Sequence, residues 1–117
     1  MFGMFKDMGQ LAGLMKQLPR IKEEMERLQQ RIALLVAEGD AGGGMVRVRV
    51  NGKMEMLACS LSDEALKGGD RELLEDLITS ATNLALKKVR QQMNEETMKM
   101  ASDLGLPPGF NLPGLTS

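Results

Sequence analysis

The sequence predicts an α+β domain in which two long helices flank a β-hairpin. Apolar residues recur at helical spacing before Ala33 and again after Asp70, while Met45–Val50 between them alternates apolar and basic residues. A helix with one apolar stripe and a strand with one apolar face bury these surfaces against each other. We therefore expect a two-layer domain of helix, sheet and helix.

The first helix is predicted over residues of about 9–32. Its apolar positions follow one another at spacings of three and four residues, a heptad pattern that keeps one stripe facing a partner. This stripe contains Leu11, Leu14, Leu18, Ile21, Met25, Leu28, Ile32 and Leu35. Pro19 lies within it and lacks a backbone donor, so we expect a kink or a helix restart near Leu18. The stripe stays in phase across Pro19, which favours the kink.

Residues of about 33–38 fit either a last helical turn or a short strand. The glycine-rich stretch Glu38–Gly44 follows, and then a strand over about 45–50 with Val46, Val48 and Val50 on one face. Arg47 and Arg49 lie on the other face. P-loops and dinucleotide-binding glycine motifs lead into a helix, whereas these glycines lead into a strand. We therefore interpret Glu38–Gly44 as a connector between strands rather than a phosphate site.

Asn51-Gly52 is a strong signal for a two-residue hairpin turn of type I′. Such a turn pairs Val50 with Lys53 and Val46 with Leu57, and the return strand covers about 53–61. Leu57, Cys59 and Leu61 would then share the core face of the valines. Met54, Met56 and Ala58 would line the side of Arg47 and Arg49.

Asp70 is a good N-cap for the second helix, predicted over about 70–103, and Ser62 caps a shorter helical turn before it. A broad apolar stripe able to cover a sheet face contains Leu74, Leu77, Ile78, Ala81, Leu84, Ala85 and Val89. These elements make residues 1–103 one domain. Residues 104–117 are rich in proline and glycine, and we expect them to form an irregular, flexible tail.

The composition argues against most catalytic and metal-dependent functions. The chain has no His and one Cys, so a Cys/His zinc site is excluded and Ser60 or Ser62 has no His to activate it. The acidic residues near Asp63 and Glu72 are explained by helix capping and the helix dipole. We expect no catalytic residue, no cofactor, no bound metal and no small-molecule substrate. We also predict no signal peptide or membrane span and a cytoplasmic location.

Two surfaces are candidates for binding a macromolecule. The short chain and long heptad predict a homodimer, with an interface at Leu18, Ile21, Met25, Leu28, Met54 and Met56. Net charge is −1, so any nucleic-acid contact depends on local basic clusters. Those on the two helices are Lys16, Arg20, Arg27, Arg31, Lys87, Lys88 and Arg90. By sequence alone an ordinary solvated surface explains these residues better than DNA contact.

The order of motifs resembles the YbaB/EbfC family of bacterial nucleoid-associated DNA-binding proteins. The resemblance rests on the basic heptad helix, Glu-Gly-x-x-Gly-Gly-Gly, Val-x-Val-x-Val-Asn-Gly, Leu73-Leu74-Glu75-Asp76-Leu77-Ile78 and Leu106-Pro107-Pro108-Gly109-Phe110. It implies a helix, three antiparallel strands and a helix, with a strand near Leu34–Glu38. It also implies a homodimer with tweezer-like arms. In this family the first helix is usually uninterrupted, whereas this chain has Pro19 within it.

The resemblance implies binding of double-stranded DNA with little sequence preference and a change in DNA conformation. Nucleoid organisation and gene regulation would follow, without catalysis. The basic residues on the arms would contact phosphates. A homodimeric protein-interaction module without a direct DNA role, using the heptad stripe and the Met54 and Met56 face, is the alternative.

Overall fold

The computed structural model describes the backbone of residues 2–106 and the side chains of residues 15–106. Its elements, in chain order, are α1 (Phe2–Ala33), β1 (Val36–Ala41), β2 (Val46–Asn51), β3 (Met56–Leu61), α2 (Asp63–Lys67) and α3 (Arg71–Asp103). Most of the predicted tail and the side chains of Leu11 and Leu14 lie outside the described residues. The predicted α+β class is confirmed, with three antiparallel strands in the order β1-β2-β3.

The glycine-rich stretch is half strand and half turn. Strand β1 continues through Glu38, Gly39 and Asp40 to Ala41, so only residues 42–45 connect it to β2. Gly42, Gly43 and Gly44 have φ of 65°, 65° and 92°, a region that residues with a Cβ rarely adopt. The stretch is a connector between strands, as the sequence predicts, but it is shorter than Glu38–Gly44.

Helix α3 covers the valine face of β1 and β2, and this contact forms the main core. Val46, Val48 and Val50 are buried against Ala81, Ala85 and Val89, as the two predicted stripes require. Small alanines on α3 allow the helix to approach the sheet closely. The Asp70 cap is confirmed, because its Oδ1 accepts a hydrogen bond from the backbone N–H of Leu73 at 3.0 Å. Ser62 caps α2 in the same way through the N–H of Ala65.

Strand β3 lies beyond the reach of α3, which corrects the predicted core. All six of its residues are exposed, including Leu57, Cys59 and Leu61. Cys59 and Leu61 do pair with Val48 and Val46, so they share the valine face as predicted. A helix is about 10 Å wide and strands are about 4.8 Å apart, so a single helix covers two strands. The third strand remains bare.

The predicted two-residue hairpin turn is wrong. Val46 pairs with Leu61 rather than Leu57, and a register shift near Arg49 and Val50 places Met56 opposite Val50. Met56 is therefore on the valine side and not on the arginine side, whereas Ala58, opposite Arg49, lies on the arginine side as predicted.

The β2–β3 connection is longer than two residues because of hydrogen bonds made by Asn51. The N–H of Asn51 donates to the carbonyl of Glu55 at 3.0 Å, which closes the wider turn. The Asn51 Oδ1 also accepts from the N–H groups of Lys53 and Glu55, at 2.9 and 3.0 Å. The positive φ falls on Met54, at 63°, and not on Gly52.

A second core joins α1 to the C-terminal half of α3. Leu28, Ile32 and Met100 form its buried centre, with Met25 and Met93 packed around them. Arg31 Nε lies 3.5 Å from Glu96 Oε2 at the same junction. Leu28 packs in the cluster of Met100, whereas Arg31, three residues later in α1, lies beside Glu96, four residues earlier in α3. The two helices are therefore antiparallel. The described part of the chain extends over 73 × 25 × 17 Å, which is an elongated shape.

Helix α1 passes through Pro19 as one element, which rules out a separate helix restart at that point. Helix α3 ends after Asp103 in a Schellman motif, because Gly105 has φ 69° and two N–H groups bond backwards. The N–H of Leu106 donates to the carbonyl of Ala101 at 2.9 Å, and that of Gly105 to the carbonyl of Ser102 at 3.0 Å.

Candidate nucleic-acid interface

All seven basic residues predicted to contact DNA are exposed, but they do not form one patch. They are Lys16, Arg20, Arg27, Arg31, Lys87, Lys88 and Arg90. Arg20 lies about 18 Å along the axis of α1 from Ile32, at 1.5 Å per residue. Lys87 and Arg90 are instead on the part of α3 that crosses the sheet. The structure thus divides the set into a group on the α1 arm and a group beside the sheet.

Three of these side chains have partners within the chain. The Arg27 guanidinium lies 3.0 Å from Glu24 Oε1, and Arg31 pairs with Glu96. Lys88 Nζ donates to the carbonyl of Glu38 at 3.1 Å and so ties α3 to β1. Exposed pairs of this kind contribute about 0–1 kcal/mol, so a phosphate can compete for the arginines.

Lys16, Arg20, Lys87 and Arg90 have no ion-pair partner within residues 15–106. An exposed cation that lacks an internal partner gives up little when it binds a phosphate. These four side chains are therefore the best placed of the predicted set.

Strand β2 presents two further basic residues that the sequence prediction did not include in the DNA site. Arg47 and Arg49 are exposed on the face opposite α3, where the strand register places Asp40 and Glu38 beside them. The alternation of valine and arginine already indicated this face. The acidic partners depend on the β1 register, which the sequence left open. Neighbouring carboxylates make these arginines weaker candidates for phosphate binding.

The predicted dimer residues have very different surroundings. Leu28 has 0% exposed surface because it packs inside its own chain, and Met25 packs beside it. Leu18 is 54% exposed and Ile21 is half-buried. Met54 is 36% exposed and Met56 is 50% exposed. Leu28 is therefore not available to a second copy in this conformation, whereas Leu18 and Met56 are.

Strand β3 carries an apolar surface, here called the β3 surface, made of Met56, Leu57, Cys59 and Leu61. Leu57 is 48% exposed and Leu61 is 36% exposed. β3 is also an edge strand, so one side of its backbone has no neighbouring strand within residues 2–106. The sequence predicts core positions for Leu57 and Leu61 because it does not reveal how many strands one helix covers.

No cluster typical of a metal site occurs in the described residues. Within the side chains of residues 15–106, no three His, Cys, Asp or Glu groups come together as metal ligands would. A shallow depression of about 260 Å³ lies between α2 and α3 and includes Asp70, whose carboxylate already caps α3. None of the helices in the described region has the length and apolar character that a membrane span requires.

Residues 8–104 match the model of the YbaB/EbfC DNA-binding family. The chain belongs to this family. The fold is also that of a solved structure, an uncharacterised protein HP0035 from Helicobacter pylori, with a TM-score of 0.62 and 29% sequence identity. That match covers 79% of this chain and 94% of the other. Family membership supports DNA as a partner and association with the nucleoid.

Proposed function

We propose that this protein is a homodimeric, nucleoid-associated protein that binds duplex DNA through phosphates with low sequence specificity. It changes the conformation of DNA and thereby contributes to nucleoid organisation and gene regulation in the bacterial cytoplasm. It has no catalytic activity. Membership of a DNA-binding family is the observation that carries this proposal.

The available side chains favour phosphate binding over stacking on bases. The chain has three aromatic residues, Phe2, Phe5 and Phe110, and none lies on the sheet or on α3. Stacking on bases from those elements is therefore not available. Exposed lysines and arginines on helices instead neutralise the DNA backbone, which positions a protein without selecting a sequence.

The test is a mobility-shift titration at two salt concentrations with paired variants. Lys87→Ala/Arg90→Ala and Lys16→Ala/Arg20→Ala each remove two charges, and each should weaken binding. Each should also flatten the salt dependence, by a slope of about 0.9 for every phosphate that is no longer neutralised. Lys53→Ala/Lys67→Ala, outside α1 and α3, is the control with the same charge change and should bind like the parent protein. Unchanged affinity and slope in both test variants would show that these residues do not bind phosphates.

We propose a dimer interface at the β3 surface, with Met56 as its predicted member. An exposed apolar edge strand offers both unpaired backbone groups and apolar side chains to another chain. A second copy that pairs its own β3 with this strand would hydrogen-bond the unpaired backbone groups and cover the apolar side chains. Leu28 has no place in this interface because it is buried within its own chain.

The same exposed surface favours a second candidate function, a protein-interaction module without a direct DNA role. In that case the β3 surface binds another protein, and association with DNA is indirect. Pull-down from a lysate with and without nuclease separates the two functions. Proteins that stay bound after complete digestion of DNA favour the module, whereas proteins released on digestion favour DNA binding.

A further inference from the structure

The apolar stripe of α1 becomes steadily more exposed toward its N-terminus. Leu28 has 0% exposed surface, Met25 and Ile21 are half-buried, and Leu18 is 54% exposed. These residues lie at spacings of three and four, so they form one continuous face. Burial ends where α3 ends, since only the part near Leu28 meets the C-terminal half of α3. An apolar face of about 10 Å along the helix axis, from Met25 to Leu18, thus continues beyond its cover.

The end of α3 lies at the start of this uncovered face. The Schellman motif ends α3 and sets Leu104 and Leu106 against the cluster of Leu28 and Met100. Met25 packs on the same cluster from α1. The segment that follows Leu106 therefore begins close to Met25, the last well-packed position of the α1 stripe.

Residues 107–117 have the composition and the length to cover this face. Their sequence is Pro-Pro-Gly-Phe-Asn-Leu-Pro-Gly-Leu-Thr-Ser, without a charged residue and with Phe110, Leu112 and Leu115 as large apolar side chains. Such a segment can reach up to about 35 Å when extended. That length exceeds the roughly 10 Å from Met25 to Leu18, even if the segment does not run straight.

We propose that the exposed face of α1 around Leu18 and Ile21 is the docking surface for the C-terminal segment of the same chain, residues 107–117. The start of the segment beside Met25 favours the same chain over a second copy, because intramolecular docking has no concentration cost. Docking would hold the α1 arm, with Lys16 and Arg20, against the rest of the molecule. The proposal does not depend on DNA binding.

Hydrogen–deuterium exchange of the full chain and two variants tests this docking. Phe110→Ser/Leu112→Ser/Leu115→Ser keeps the length of the segment but removes its apolar side chains, and a second variant ends after Leu106. Both should speed exchange of the amides at residues 15–21 and leave β2 unchanged. The control Thr116→Ala/Ser117→Ala should exchange like the parent protein. If residues 15–21 exchange equally fast in all four proteins, the segment does not cover α1.

Disulfide trapping identifies which chain supplies the segment. In a Cys59→Ser background, Leu18→Cys with Phe110→Cys should form a disulfide within one chain on mild oxidation. Arg20→Cys with Phe110→Cys is the control, since position 20 is about 160° away around the helix, and it should cross-link much less. A band of twice the chain mass under non-reducing conditions would assign the segment to a second copy and overturn the proposal.

Discussion

At the scale of single residues, two positions require glycine because nearby backbone atoms leave no space for a Cβ, and not because of an unusual backbone conformation. A Cβ on Gly39 would meet the carbonyl of Ala81 and lie 3.0 Å from the Cα of Ala85. A Cβ on Gly52 would meet the carbonyl of Ile32. Neither glycine has a positive φ. Gly39 allows β1 to approach α3, and Gly52 allows the β2–β3 turn to approach the end of α1.

Gly39→Ala should lower the free energy of unfolding by about 1–3 kcal/mol, the usual cost of overpacking a core. The colliding atoms belong to the backbone of α3 and cannot rotate away, so the strand and helix must separate. Urea denaturation monitored by circular dichroism measures the change.

Gly68→Ala is the matched control for that experiment. Gly68 has φ −64°, and an added Cβ would lie 3.4 Å from the carbonyl oxygen of Glu64, an ordinary contact. Its stability should stay within about 0.5 kcal/mol of the parent protein. Equal stability of Gly39→Ala and Gly68→Ala would contradict the close approach at Gly39.

At the scale of elements, the two ends of the α1 heptad stripe have different surroundings. Around Leu28 it packs against the C-terminal half of its own α3, and toward Leu18 it emerges from that cover. The heptad pattern predicts a stripe that needs a partner but does not identify the partner. The structure gives the C-terminal part of the stripe an intramolecular one.

Leu28→Ala should destabilise the α1–α3 junction by about 2–5 kcal/mol, since it leaves a cavity beside Met100. Hydrogen–deuterium exchange should rise in α1 and in α3 near Met100, and chemical denaturation gives the magnitude.

Leu34→Ala is the control, because Leu34 is 81% exposed and should change stability by no more than about 0.5 kcal/mol. A Leu28→Ala protein as stable as Leu34→Ala would show that the junction does not hold the arms together.

At the scale of the whole molecule, the described residues leave two apolar surfaces uncovered by one another. One is the α1 face near Leu18, and the other is the β3 surface. The two surfaces are on different parts of the molecule. Leu18 lies about 21 Å along α1 from Ile32, whereas Leu61 lies in the sheet. The two surfaces can therefore be tested separately.

The proposed homodimer should be visible by analytical ultracentrifugation at micromolar concentration. Met56→Asp/Leu61→Asp should shift the protein to monomer, because a second β3 would bury two new carboxylates on each side. Both side chains are at least one-third exposed in the single chain, so folding should persist.

Leu34→Asp serves as the control, since it lies next to β1 at the other edge of the sheet and should leave the dimer intact. A parent protein that sediments as a monomer would refute the homodimer. A dimer that survives Met56→Asp/Leu61→Asp would place the interface away from β3.

Local signals in the sequence determined most of the fold. The heptad positions, the Ser62 and Asp70 caps, and the alternation of Val46, Val48 and Val50 each predicted an element that the structure contains. The β1 strand came from the family resemblance, because Leu34–Ala37 fits a helix end as well as a strand. Local backbone preferences cannot decide that choice when the residues suit both.

What only the tertiary structure decided concerns the packing between distant elements. The Asn51-Gly52 pair predicts a two-residue turn. In the structure a Cβ at position 52 would collide with the carbonyl of Ile32, so glycine is required there for a different reason. The turn itself is wider, because Asn51 Oδ1 accepts a hydrogen bond from the N–H of Lys53. The alternation of residues in β3 predicts that Leu57 and Leu61 are in the core, but they are exposed because α3 is too narrow to cover a third strand. Periodicity is a property of neighbouring residues and fixes which side chains share a face. The covering of that face depends on the widths and separations of elements far apart in the chain.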